Sequence, residues 1–389
     1  MAVTVDMLIE VGRRAGLHAV GVCRAEPFND TARVLRTRRH EGLHAGMQFT
    51  YRNPERSTDP ARALPGAASL VVGALDFWRG DPDPPTDDRP YARVAAYARD
   101  DHYAALRSAL ESVAVPLRAA GHRAIVVADE NHLVDRAAAH RAGIGWWGKS
   151  SNILVPGAGS MVVLGAVVTD AGLCDADPEP VQDGCGPCRQ CLDGCPTGAI
   201  VAPGTVDARR CLAWLVQRTG VFDPDFRVAL GDRIYGCDDC ADVCPPNRVR
   251  VRLETPTRRH RRANEGGSDG GRGPGLGGHG DTTWVSLLDL LGATDDELMA
   301  RYGRWYIPRR QPRYLRRNAL VALGNVGEPS DPRVRAAVDG ALADPDPIVR
   351  AHAVWCARRL GLELDALSDE DDPLVRAELE RTVPAKAGT

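Results

Sequence analysis

Two runs of cysteine carry the plainest chemistry in this chain: Cys185-x2-Cys188-x2-Cys191-x3-Cys195-Pro196, and Cys237-x2-Cys240-x3-Cys244-Pro245, with Cys211 between them. Three thiolates at this spacing grip one corner each of an iron-sulfur cube, and the cysteine before proline crosses to the neighbouring cube. The second run lacks one thiolate, which Cys211 can supply. The expected ligand sets are therefore Cys185, Cys188, Cys191 and Cys244 for one 4Fe-4S cluster, and Cys195, Cys211, Cys237 and Cys240 for the other. Structural zinc also uses paired C-x2-C units. A third cysteine three residues on and a Cys-Pro at each end favour the cube. Disulfides fit least, since no secretory signal is recognisable at the start.

The remaining cysteines, Cys23, Cys174 and Cys356, stand outside this pattern. Apolar neighbours make Cys23 and Cys356 small core residues, and the count of ligands closes without Cys174.

The elements that position the cysteines fall into blocks. In 1–171 helical and strand periodicities alternate: a helix from Val5 to Gly16, a strand from His18 to Cys23, a strand from Ala68 to Phe77 and a helix from Ala104 to Ala120. A strand from Arg123 to Ala128, a helix from Leu133 to Ala142 and a strand from Met161 to Val168 follow. This alternation predicts an α/β sheet layered by helices. Residues 172–252 form a turn-rich, ferredoxin-like module in which metal-sulfur bonds replace a large core. Residues 253–281 are glycine-dense and read as a linker. In 282–389 the segments LRRNALVALGNVG from Leu315 and VRAHAVWCARRLG from Val349 repeat at a 34-residue spacing, and Asp-Pro entries recur, as in HEAT-like helix pairs.

Composition sets outer limits. The 389 residues are 43% hydrophobic with a net charge of −3, enough to bury substantial cores and too little charge to draw polyanions in general. No apolar stretch is long enough to span a membrane, and a cytoplasmic location is expected. A nucleic-acid contact then needs a local basic patch. RYGRWYIPRRQPRYLRR, Arg301 to Arg317, supplies arginines interleaved with aromatics, suited to phosphate forks and base stacking. A helix start with Trp305 and Tyr306 packed inward accounts for the same composition equally well.

Within the first block, Asp129 ends a strand, where open α/β sheets place their reactive crevice. A carboxyl in a partly dry crevice can serve as a general acid; capping a helix that begins near His132 is the plainer role. The loop RAGIGWWGKSSN, Arg141 to Asn152, allows close backbone approach to a cofactor through its glycines and offers Lys149 to an anion, but matches neither the P-loop nor the dinucleotide fingerprint.

Taken together the residues resemble the epoxyqueuosine reductase family. The resemblance runs through GLHAVGV at Gly16, GMQFTYRNPERSTDPARALPGA from Gly46, ADENHLVDRAAAHRAGIGWWGKSSN from Ala128, the double cluster motif, DARRCLAWL around Cys211, GDRIYGCDDCADVCPPN from Gly231 and LRRNALVALGN from Leu315. It implies an oxidoreductase that completes queuosine in the wobble position of tRNA. Electrons would reach cobalamin through the two clusters from a low-potential donor of the flavodoxin or ferredoxin class, and Asp129 would protonate the departing epoxide oxygen. By the same resemblance the corrin would be held by residues matching Arg56, Asp129, the Lys149 to Ile153 loop and the Gly159-Ser160 turn. Arg136, Arg309, Arg310, Arg316 and Arg317 would hold the anticodon stem-loop. Two departures stand out. Asp101-His102-Tyr103 replaces Asp-Tyr-His, and Glu130-Asn131-His132 replaces Thr-Ala-Pro beside the acid. Alternatives are a cobalamin-dependent reductase of another epoxide or of a halogenated small molecule, and an electron-transfer protein with a scaffold tail.

Overall fold

A computed structural model describes residues 3–254, 283–364 and 370–386. The chain forms two compact units, one assembled from 1–80, 100–209 and 239–280, the other from 81–99, 210–238 and 281–389. Most of the expected linker lies outside the described residues; its first two continue the helix Pro245–Glu254.

The first unit is built on a four-stranded sheet in the spatial order Ala19–Arg24, Ser69–Asp76, Val162–Thr169, Ala124–Ala128. The two central strands, SLVVGALD and VVLGAVVT, are buried almost end to end, as apolar runs must be when both faces are covered. Helix His102–Ala119 packs on the sheet through Leu106, Leu110, Val113 and Leu117, a helical stripe of buried residues. Its start is fixed by Asp101, whose side chain accepts the N–H of Ala104 at 2.9 Å; Asp101 thus takes the capping role. Neighbouring strands are all antiparallel, so their carboxyl ends share no common edge. The crevice rule for parallel sheets does not apply here, and Asp129 instead follows the carboxyl end of the edge strand Ala124–Ala128.

The second unit centres on helices Arg313–Val326, Pro332–Leu342, Pro347–Leu360 and Pro373–Leu379. The last three begin at Asp331-Pro332, Asp346-Pro347 and Asp372-Pro373, where each aspartate accepts an N–H of the first turn and proline occupies the position that has no N–H to satisfy. The 34-residue spacing read from Leu315 and Val349 sets the first of these helices against the third, and the two pack directly. Cys356 is fully buried between them. A small sheet joins Arg233–Tyr235 in parallel, and Trp284–Ser286 antiparallel, to the strand Tyr91–Val94.

Arg317 overturns an expectation. Its side chain is 0% exposed, and its guanidinium donates to the carbonyls of Leu215, Val216, Arg218 and Gly220 at 2.6 to 3.3 Å. Those carbonyls end short helical and turn segments, so the cation is committed to them and offers nothing to a phosphate. Replacing Arg317 with Ala strands several buried acceptors and leaves a cavity; denaturant melts should report a loss of about 3 kcal/mol or more.

Candidate active site and iron-sulfur centre

The thiols of Cys185, Cys188, Cys191 and Cys244 gather within the first unit. Burial raises Cys191, and the negative charges of Cys185 and Cys188 raise it further. Cys244 is pushed up to about 11 by burial and then by Cys191, Cys185 and Cys188. Thiols gathered this closely suit a polycation at their centre, which must displace their protons to bind. Among the described residues no three His, Cys, Asp or Glu side chains are set to hold a single metal ion. Of the second expected set, Cys195 and Cys240 belong to the first unit and Cys211 and Cys237 to the second. Burial raises Cys195, but amide N–H groups of Thr197, Ala199 and Ile200 and the Thr197 hydroxyl outweigh it and hold the thiol below its ordinary value. That environment stabilises a thiolate ligand.

Two contacts bind the first cluster loop to the sheet domain. Lys149 donates through Nζ to the carbonyls of Gly186 and Cys188, at 2.5 and 2.9 Å. Asn247, 1% exposed, accepts the N–H of Ser160 at 2.9 Å and donates to Ser160 Oγ at 2.9 Å and to the Ala241 carbonyl at 2.8 Å. Gly159 makes room for it: a Cβ there would stand 1.8 Å from Asn247 Oδ1, and φ is +62°. Lys149, Gly159 and Ser160, expected to meet a cofactor, thus have their polar groups or their space taken by the cluster module. Ile153, 2% exposed, lies in the sheet domain's core. Asn247 itself carried no signal in the sequence beyond its place after Cys-Pro-Pro.

Asp129 has φ of +53°, a conformation that costs a non-glycine residue of order 1–3 kcal/mol and clusters at functional sites. It caps nothing: the following helix, Asp135–Arg141, has Val134 at its N-cap and no side-chain cap bond. The residue as a whole is exposed, yet the protein packed around its carboxyl raises it by desolvation, the Arg107 cation opposes this, and Glu130 adds to the rise, leaving the group above the ordinary aspartate value. The loop after it is clamped. Arg107 donates to Glu130 at 2.7 Å and to the Ala128 carbonyl; Glu130 lies 3.2 Å from His132 Nδ1; His132 Nε2 meets Arg56. Of the three residues here that depart from the family pattern, Glu130 and His132 take part in this clamp. Beside it opens a cavity of about 390 Å³ lined by Phe49, Arg52, Asn53, Arg56, Ser57 and Asn131. Asn131 Oδ1 is sealed from solvent without a partner. Guanidinium donors and an unpartnered amide oxygen fit the amide-fringed rim of a corrinoid. Asp135, missed in the sequence, lies directly behind Asp129.

The arginine-aromatic segment divides. Trp305, 5% exposed, stacks on Tyr235 and Tyr302 at 4.5 and 4.7 Å, whereas Tyr306 is 59% exposed. Arg316 is held by Asp295 at 2.5 Å and by the Ala293 carbonyl at 2.8 Å. Arg309 and Arg310 are exposed and sit in consecutive left-handed conformations, at φ of 52° and 53°. Arg136, in the first unit, is exposed and donates to the Ser151 carbonyl at 3.1 Å.

Comparison with known proteins extends this geometry. Residues 184–247 match the 4Fe-4S double cluster binding domain family and residues 307–383 the HEAT repeats. The first match spans all eight expected ligands, so the zinc alternative falls away and the chain is an oxidoreductase with two 4Fe-4S clusters. An epoxyqueuosine reductase of Xanthomonas campestris is 31% identical over 90% of this chain and 95% of its own. The chain belongs to the epoxyqueuosine reductase family. The crystal structure of an epoxyqueuosine reductase with an epoxyqueuosine-modified tRNA-Tyr stem loop superposes with a TM-score of 0.80 at 28% identity, covering 96% of each chain. The Bacillus subtilis enzyme, with its catalytic aspartate loop swung out of the active site, gives 0.79 at 27% identity over 96% of each.

Replacing Gly159 with Ala drives a side chain into Asn247 and strains the turn. Iron content after anaerobic reconstitution should drop, with a stability loss of about 1–3 kcal/mol. Cys244→Ser should hold about four irons per chain against about eight in the parent.

Proposed function

We propose that this chain reduces epoxyqueuosine to queuosine in the anticodon stem-loop of tRNA, with cobalamin as the further cofactor and Asp129 as the proton donor. The observation that carries this reading is Asp129 itself: a strained, left-handed aspartate at a strand end, its carboxyl raised by desolvation, in a family whose relatives bear the name of the reaction. The reaction removes one oxygen as water and consumes two electrons and two protons. When bound, the clusters and cobalamin supply those electrons at low potential. The chain's own residues do the rest. The clamp of Arg107, Glu130, His132 and Arg56 holds the Asp129 loop in place, and Arg52, Arg56 and Asn131 would offer polar contacts to the corrin's amides from their cavity. Lys149, Gly159 and Ser160 contribute by fixing the segments that carry the first cluster's ligands. Asp129 delivers a proton to the oxygen as its bonds to carbon break.

Stem-loop binding is assigned to Arg309 and Arg310, with Tyr306 beside them for stacking, and to Arg136. A Tyr ring and guanidinium groups able to reach solvent suit bases and phosphates. Arg316 and Arg317 are excluded by their committed bonds.

Anaerobic incubation of the reconstituted protein with a reductant, cobalamin and an epoxyqueuosine stem-loop should give a product lighter by one oxygen in mass spectrometry. An unaltered stem-loop sinks the reading. Asp129→Asn should keep clusters and bound cobalamin but lose turnover by about 100-fold or more. In the parent, a carboxyl raised above its ordinary value keeps its proton to higher pH, so turnover persists below that raised pKa and falls as pH climbs through it. Replacing Arg309 and Arg310 with Ala should weaken stem-loop binding and flatten its salt slope by about one for each phosphate that the protein then leaves unneutralised.

A further inference from the structure

Removal of an epoxide oxygen as water needs two protons, and one aspartate holds one. Behind Asp129 stands a second carboxyl with no assigned task. Asp135 opens the helix Asp135–Arg141, and its carboxyl faces the backbone N–H of Asp129, which lowers its pKa. Its Oδ1 is sealed from solvent and has no hydrogen-bond partner. A buried carboxylate oxygen without a donor is costly, and the cost is much smaller when the group carries its proton.

We propose that Asp135 is the positioning residue of the proton donor: it grips the Asp129 main chain, holds its left-handed turn, and restores to Asp129 the proton that the first transfer removes. The assignment rests on the reading of Asp129 as the acid. The charged groups around the pair are consistent with it. Burial comes first in raising Asp135, the Asp129 charge raises it further, Arg136 and the Asp129 N–H oppose them, and Glu130 adds to the rise. Two carboxyls this close do not both ionise readily, so each holds its proton to higher pH than a lone surface aspartate does and the resting pair carries two. The balance then closes. The first proton passes from Asp129 to the epoxide oxygen as one C–O bond breaks. Asp135 reprotonates Asp129. The second proton goes to the same oxygen as the other C–O bond breaks, the alkene forms and water leaves. Both electrons come from the low-potential donor through the clusters, and the doubly deprotonated pair recovers its protons from solvent between turnovers.

The test uses the full chain, loaded with clusters and cobalamin, in the parent, Asp135→Asn and Asp135→Glu forms. Infrared difference spectra at neutral pH should show a protonated carboxyl band in the parent that is lost in Asp135→Asn and kept in Asp129→Asn. With epoxyqueuosine stem-loop, Asp135→Asn should leave KM within about two-fold of the parent, lower kcat about 100-fold, and move the alkaline limb of the pH profile to lower pH. Asp135→Glu should restore much of both. A merely structural residue would not move that limb. An Asn variant with parental kcat and an unmoved limb overturns the proposal. If that variant fails to fold, the parent's infrared titration decides: a carboxyl band assigned through Asp135→Glu that ionises in the ordinary aspartate range overturns it, and one that persists to neutral pH supports it. A parent that removes no oxygen sinks the assigned reaction instead, while the infrared titration still tests the pair.

Discussion

The side chain of Asn247 is the joint on which the first unit's chemistry turns. It sits three residues after Cys244, a ligand of the first cluster set, and fixes the Gly159-Ser160 turn through both its amide oxygen and its amide nitrogen. A cluster-binding loop has little apolar core of its own, so its position relative to the sheet domain depends on a few polar bonds. Lys149 makes the second of them, to the carbonyls of Gly186 and Cys188. Apart from the exposed Lys149–Gly186 bond these contacts are buried or partly buried, where each bond is stronger than in water and where an unmade one costs most. Electron delivery demands that positional constancy, since small changes in separation alter transfer more than changes in composition do.

The Asp129 loop obeys a different logic. Its backbone is strained at Asp129, and strain persists only where surrounding contacts over-determine the conformation. Here the contacts are polar and come from three separate elements: Arg107 on the long helix, Arg56 in the short segment Pro54–Ser57, and Glu130 with His132 in the loop. A loop held by polar side chains rather than by a packed core can be released without unfolding the domain.

Much of this was legible in the sequence, and the limits have physical causes. Helical and strand periods placed seven elements of the first block within a few residues, because each buries a continuous stripe or an unbroken apolar run, but missed the helix Asn29–His40 and the strand Tyr91–Val94. The Asp-Pro repeats located the helix starts of the last block, because aspartate and proline there answer purely local needs. The antiparallel order of the sheet was not legible, since strand direction depends on how long connections return. Nor was the fate of the arginines in Arg301 to Arg317. Arg309 and Arg317 are the same residue type eight positions apart, yet one faces solvent and the other satisfies carbonyls a hundred residues away in sequence. Composition reports what a side chain can do, and only tertiary contact decides which option is taken. Asn247 and Asp135 were missed for that reason.

The strand Tyr91–Val94 finds its antiparallel partner only at Trp284–Ser286. About 190 residues separate them, so on a translating ribosome that emits roughly 5–20 residues each second the earlier strand waits on the order of ten to forty seconds. During that interval its edge is open, and the helices that will cover it have yet to be made. The cysteine module emerges within the same interval, ahead of the segment that completes the small sheet. Chains cut before Trp284 would leave that edge unpaired, and are expected to aggregate rather than yield a trimmed, working enzyme.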